Sequence, residues 1–157
     1  MVGRDELRGT MRNFPSGISV LTTTLEGKRI GVTIGSLVSL SLSPPLVGVS
    51  IGRELAVYEL LRDDGTFAVS ILRGDQAPLA AHFARGVPPI ALWEGIGVRE
   101  GSTGLPLLAD ALAWLECRVV DEHAVGDHTL FVGEVDAAEE GPSGTALVYR
   151  EHGYHPV

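Results

Sequence analysis

Short apolar runs, each closed by glycine or proline, set the strongest limit on how this chain can fold. The 157 residues include 20 glycines and 9 prolines, which fall between the apolar runs as turn punctuation. Residues 18–24 and 28–34 read as two strands joined through Leu25-Glu26-Gly27, a connection of hairpin size. Residues 46–51, 67–72, 111–122, 128–137 and 146–150 read as further strands, with a turn around Gly126-Asp127 between the two longest. Helical spacing is confined to three short stretches. Residues 4–13 carry Leu7 and Met11 on one face, residues 54–61 carry Leu55, Tyr58 and Leu61 before a stop at Asp63-Asp64-Gly65, and residues 76–83 form the third. Many short strands with few helices predict a mainly β fold closed into a barrel.

The length suits one domain over residues 1–157, with enough material for a sizeable core. A hydrophobic share of 45% and a mean hydropathy of +0.21 leave apolar surface that a lone small barrel has trouble covering, which predicts a homodimer. No apolar run reaches the roughly 18 residues needed to span a bilayer, and residues 1–14 are charged where a signal peptide needs an apolar centre. The expectation is a cytoplasmic protein without membrane attachment. A net charge of −8 with only 12 Lys and Arg argues against nucleic acid as a partner. The single Cys117 lies in an apolar run and reads as a buried structural thiol.

Residues 31–45 place the hydroxyls of Thr33, Ser36, Ser39, Ser41 and Ser43 beside two glycines, Gly31 and Gly35. Regular alternation sends Thr33, Gly35, Leu37, Ser39 and Ser41 to one face, and a break at Gly35-Ser36 turns Ser36 and its neighbouring amides toward the same side. Taken alone, the segment is either a wall for a large polar cofactor or a Ser/Thr-rich strand and loop.

Other motifs compete for attention. Gly48-Val49-Ser50-Ile51-Gly52 matches a nucleophile elbow and would make Ser50 a hydrolase nucleophile, but no Asp-then-His pair downstream completes it. His123 with His128, and His152 with His155, lack a third ligand or a Cys cluster, so no metal is expected. Gly95-Ile96-Gly97 lacks the third glycine of a dinucleotide fingerprint. Trp93 and Trp114 read as packing residues.

Residues 14–23 (Phe14-Pro15-Ser16-Gly17 onward), 33–45, 46–51, 67–72, 76–84, 104–108 and 115–117 follow one another in an order that resembles the short flavin reductases. These proteins supply reduced flavin to two-component monooxygenases. The most specific piece is Gly126-Asp127-His128, four further residues, then Gly133-Glu134-Val135. The resemblance spans roughly residues 5–155. It implies a split β-barrel with flavin bound beside a homodimer interface. It also implies hydride transfer from NADH or NADPH to FAD or FMN, with reduced flavin passed to a flavin-dependent monooxygenase component. Such transfer requires no general base on the donor, so no catalytic side chain is expected; the cofactor carries the chemistry and the protein supplies orientation and electrostatics.

Carried over by position, Thr33, Ile34, Gly35, Ser36 and Leu37 line the isoalloxazine or ribityl chain, with amides making several of the contacts. Ser39, Leu40 and Ser41 continue that wall toward the phosphate. Arg53, Glu54, Leu55 and Ala56 form the phosphate-side segment at a helix start, where free N–H groups favour an anion. Phe83, Ala84 and Arg85 form another cofactor-side loop. His128 serves the nicotinamide, and Tyr154 lies near that pocket. Leu37 departs from the family's usual Phe, and Leu55-Ala56 carries no hydroxyl where many relatives have Ser or Thr, so phosphate binding leans on Arg53, Arg85 and backbone amides. These departures leave FAD versus FMN open. The alternatives are a non-catalytic flavin-binding or flavin-storage barrel and, more remotely, the Ser50 hydrolase.

Overall fold

The computed structural model describes residues 1–63, 65–86 and 89–157. Helix α1 (Arg4–Met11) precedes β1 (Ser16–Gly17), β2 (Ser19–Leu25), β3 (Lys28–Ile34), β4 (Val38–Leu42) and β5 (Pro45–Gly52). Helix α2 (Ala56–Asp63) leads to β6 (Thr66–Ile71), α3 (Ala77–Phe83) and α4 (Pro89–Trp93). The chain ends with β7 (Val98–Glu100), β8 (Pro106–Leu108), β9 (Ala113–Val125), β10 (His128–Glu140), β11 (Leu147–Arg150) and β12 (Gly153–Pro156). The expected strands and the three expected helices all appear, each within a few residues. Asp64, expected in the stop after α2, lies outside the described residues.

Seven strands pair in the order β3-β2-β6-β9-β10-β5-β4, every neighbouring pair antiparallel. The two edge strands, β3 and β4, are consecutive in sequence and separated by three residues, Gly35 to Leu37. Four Cα steps reach at most about 15 Å, whereas six inter-strand spacings in a flat sheet amount to about 29 Å. The sheet therefore has to curl until its edges nearly meet, which makes it a barrel split along one seam. Helix α2 packs on the neighbouring strands β2 and β3 and also on β5, four places from β2 in the sheet order, which the curl brings close.

Strand β2 is buried on both faces from Ser19 to Thr23, so its side chains do not alternate between core and solvent. Leu21 enters the barrel core with Val49, Leu61, Phe67 and Phe131, while Ile18 and Val20 join an outer cluster with Leu72, Phe83 and Leu147. Gly133 of the most specific motif has a packing role: a Cβ there would lie 2.7 Å from Phe67 Cζ and 3.1 Å from Cys117 Cβ. Cys117 is buried, and desolvation pushes its thiol pKa up to about 12, as expected of a structural thiol.

The described residues include one charged side chain in the buried class, Glu116 on β9. Burial pushes its pKa up, but hydrogen bonds donated by the hydroxyls and backbone N–H groups of Thr103 and Ser102 outweigh that, and its carboxyl is held below the usual range. A lowered carboxylate pKa contributes stability that is present above the unfolded-state pKa and is lost as pH falls through the folded one. Glu116→Gln is therefore expected to lower stability by about 1–3 kcal/mol at neutral pH and to flatten the acid limb of the stability profile. Denaturant melts of both proteins between neutral and acidic pH read this directly; parallel profiles would remove Glu116 from the account.

Candidate functional site

The seam between β3 and β4 is built so that side chains are occupied while its backbone stands outside the strand ladders. Thr33 Oγ1 donates to the Ala80 carbonyl at 2.6 Å, fastening β3 to α3, and Ile34 is buried in the barrel core. Past Gly48, strand β5 has no β4 residue left to pair with, and Ser36 takes over. Its hydroxyl donates to the Ser50 carbonyl at 2.9 Å and accepts from the Ser50 N–H at 3.1 Å. Leu37 packs against the core, and Gly35 is exposed beside Ser16. The ladders of β3 end at Ile34 and those of β4 begin at Val38, so the amides of Gly35, Ser36 and Leu37 stand outside them.

The expected alternation does not run through this segment. It breaks at the seam and again at a bulge between Ser39 and Ser41. Ser39 and Leu40 are exposed and Ser41 is half-buried on the edge strand. The elbow motif fares differently from its sequence appearance, because Ser50 sits inside β5, opposite Leu130, with no strand-to-helix turn beneath it.

A cavity of about 310 Å³ opens between β3, the start of α2 and the end of α3. Glu54, Leu55, Ala56, Phe83 and Ala84 all line it, so five residues expected at the site from two distant segments share one wall. The rest of the lining includes Ile30, Val32 and Leu92 and is largely apolar. Phe83 is buried and meets Trp93 edge-on, with centroids 5.0 Å apart. Gly31 permits that packing, since a Cβ there would lie 2.8 Å from Phe83 Cε1. The Trp93 indole N–H is buried without a hydrogen-bond partner among the described residues. A polar groove of about 350 Å³ lies elsewhere, lined by Thr24, Arg29, Arg99 and Glu100 among others; it contains none of the expected residues.

Two arginines flank the cavity wall in sequence. Arg53 reaches Thr129 Oγ1 with its Nε at 3.4 Å, and Arg85 approaches His82 Nδ1 at 3.4 Å. Among the described residues neither has a carboxylate within ion-pair distance. The His82 Nε2 lies 2.6 Å from the Leu92 carbonyl, so that nitrogen carries the hydrogen and Nδ1 is left to accept from Arg85. Sequence reasoning overlooked His82. Its signal was the helical spacing of three between His82 and Arg85.

His128 opens β10 directly opposite Gly52, the last residue of β5. Its Nδ1 is 2.7 Å from Asp127 Oδ1, and the side chain is half-exposed at the barrel rim. The hydrogen bond from His128, followed by its charge, holds the Asp127 carboxyl below its usual pKa. Asp127 also accepts the Arg53 N–H on its backbone carbonyl at 3.2 Å, linking the rim to the α2 approach. Tyr154 stands apart, in the small β1-β11-β12 sheet with its ring 5.3 Å from Tyr149, and joins the rest through the cluster that contains Phe83. Burial, then Tyr149, raises its phenol pKa.

Seam amides outside the strand ladders, an apolar-walled cavity and two cations without carboxylate partners among the described residues fit a phosphorylated isoalloxazine cofactor. The donor set suits its ring edge and phosphate, and the walls suit its flat faces. Comparison with known proteins agrees. The chain is 37% identical over 149 residues to an NADH-dependent FAD reductase of Streptomyces globisporus, covering 93% of this chain and 81% of that one. It is 35% identical to the reductase component of the 4-hydroxyphenylacetate 3-monooxygenase of Thermus thermophilus, over 96% and 95% of the two chains. Among solved structures, the flavin reductase component of a bacterial two-component tryptophan halogenase superposes with a TM-score of 0.92 at 33% identity, over 99% and 98% of the chains. A Streptomyces globisporus NADH:FAD oxidoreductase in complex with NAD and FAD fragments gives 0.91 at 34%, over 97% and 91%. The model of the flavin reductase like domain matches residues 11–157, and with that match the chain belongs to the flavin reductase like family.

Proposed function

We propose that the protein is an NAD(P)H-dependent flavin reductase that transfers hydride from NADH to FAD or FMN and supplies reduced flavin to a flavin-dependent monooxygenase component. The observation that carries this reading is the cavity lined by Glu54, Leu55, Ala56, Phe83 and Ala84, with Ser36 bonded to Ser50 and His128 paired with Gly52 on the adjoining strand β5, in a chain whose relatives are named for NADH-dependent flavin reduction. When bound, the flavin supplies the hydride-accepting ring. The chain supplies position. Amides of Gly35, Ser36 and Leu37 meet the polar ring edge or ribityl chain, with Thr33 and Ile34 fixing the strand behind them. Ser39, Leu40 and Ser41 extend that wall. Arg53, Arg85 and the first amides of α2 beside Leu55 and Ala56 receive phosphate, while Phe83 and Ala84 close the cavity. His128, oriented by Asp127, leaves Nε2 for the nicotinamide, with Tyr154 farther out.

The same reading takes residues 1–157 as one reductase domain, working in the cytoplasm where reduced nicotinamide is regenerated. It also takes the working form as a homodimer. Val38 and Leu40 on the barrel edge and Leu7, Met11 and Phe14 around α1 are all exposed apolar side chains, which support a partner surface. Light scattering at micromolar concentration is expected to give twice the chain mass; a monomer would overturn the dimer.

The activity is tested by following NADH consumption in air with FMN or FAD in excess. Flavin-dependent oxidation well above the protein-free rate is expected. Flavin binding without oxidation of NADH or NADPH would favour a storage barrel instead, and Ser50→Ala is expected to leave the rate unchanged.

A further inference from the structure

Glu54 is placed oddly for a residue at a phosphate site. It lines the cavity beside Leu55 and Ala56, next in sequence to Arg53. Its carboxylate folds back over Gly52: a Cβ at that glycine would lie 2.8 Å from Oε1 and 2.9 Å from Oε2, so the absence of a side chain makes the seat. Among the described residues the carboxylate accepts no hydrogen bond and joins no ion pair. Arg53, which could have neutralised it, is directed instead at Thr129 on β10. Among the described residues these adjacent opposite charges form no ion pair, and the carboxylate lies over Gly52, which pairs with His128, while Glu54 also lines the cavity.

We propose that Glu54 is an affinity-limiting residue, a fixed negative charge that weakens the hold on the flavin phosphate and keeps flavin exchangeable. The proposal rests on the reading of the Arg53 and Arg85 end as the phosphate end. Arg53, Arg85 and Glu54 together bring one net positive charge to a phosphate dianion; without the carboxylate they bring two. A reductase that hands flavin to another protein gains from this, because an anchored product cannot leave. The absence of hydroxyls at Leu55 and Ala56 acts in the same direction, since it removes neutral donors that would otherwise compensate.

The test compares FMN with riboflavin, which share the ring and ribityl chain and differ by the phosphate. Glu54→Gln preserves shape, and Glu54 is exposed, so folding is not at stake. Titrated by flavin fluorescence at low ionic strength, the variant is expected to bind FMN about three- to tenfold more tightly than the parent, with the gain shrinking as salt is added. Riboflavin affinity should stay within about twofold of the parent. Unchanged FMN affinity in a parent that binds FMN would overturn the proposal alone. An equal gain for riboflavin would overturn it too, since Glu54 would then act on the ring or the cavity shape. A parent that binds neither flavin would overturn the reading of the site and this proposal with it.

Discussion

Arg53→Ala and Arg85→Ala are each expected to weaken FMN binding about tenfold while leaving riboflavin nearly untouched. A charge-assisted hydrogen bond to phosphate contributes about 1.5–3 kcal/mol, and the exposure of both side chains places the effect at the lower end of that range. The two arginines approach from different elements, one before α2 and one after α3, and share no hydrogen-bond partner. Because both would meet one phosphate, their losses should not simply add, and a double-mutant cycle on FMN binding should show a coupling energy of about 0.5–3 kcal/mol. Arg53→Lys should recover part of the loss as a point charge and none of any bidentate geometry. Equal losses for FMN and riboflavin would show that the arginines shape the cavity and do not meet phosphate. Unchanged titrations would place the phosphate elsewhere.

His128→Ala is expected to raise the KM for NADH about tenfold or more and to slow hydride transfer, with flavin affinity close to the parent value. One positioning hydrogen bond lost accounts for the first effect, and misalignment of the two reacting rings for the second. The arrangement assigns a distinct part to Asp127. With its carboxyl held below the usual range, it stays an acceptor through neutral pH and fixes the His128 hydrogen on Nδ1. Asp127→Asn should give a milder rise in KM than His128→Ala, because the imidazole remains but its tautomer is no longer dictated. Normal NADH kinetics in His128→Ala would reduce the residue to a turn histidine.

The β2–β3 hairpin was legible because its turn is chemically demanding: Glu26 and Gly27 both adopt positive φ, 49° and 77°, and the strands on either side alternate little. The far ends of β9 and β10 were harder to see. Residues 121–125 are polar or exposed, so no buried face marks the strand. Strands β7, β8 and β12 are three or four residues long and carry no periodicity of their own. Strand β4 was hidden by its serines, whose alternation continues across a seam and a bulge that no local rule announces. Helix α2 begins two residues later than the spacing suggested, because Leu55 N–H first closes a turn onto the Gly52 carbonyl. At the site, the resemblance located the segments but not their division of labour. Thr33 and Ser36 looked like ligand hydroxyls and instead fasten β3 to α3 and β5 to the seam. The walls contributed by Ile30, Val32 and Leu92 come from tertiary apposition, which a reading along the chain does not reach.

If this barrel brings a nicotinamide and a flavin together for hydride transfer, the transfer is seen most plainly without oxygen. Protein is mixed with equal amounts of FMN or FAD and NADH, and the visible absorbance of the oxidised flavin is followed against a protein-free mixture. Rapid bleaching matched one for one by loss of NADH is expected, and slower bleaching with His128→Ala. Flavin that binds yet stays oxidised at the protein-free rate, with both NADH and NADPH, would contradict it.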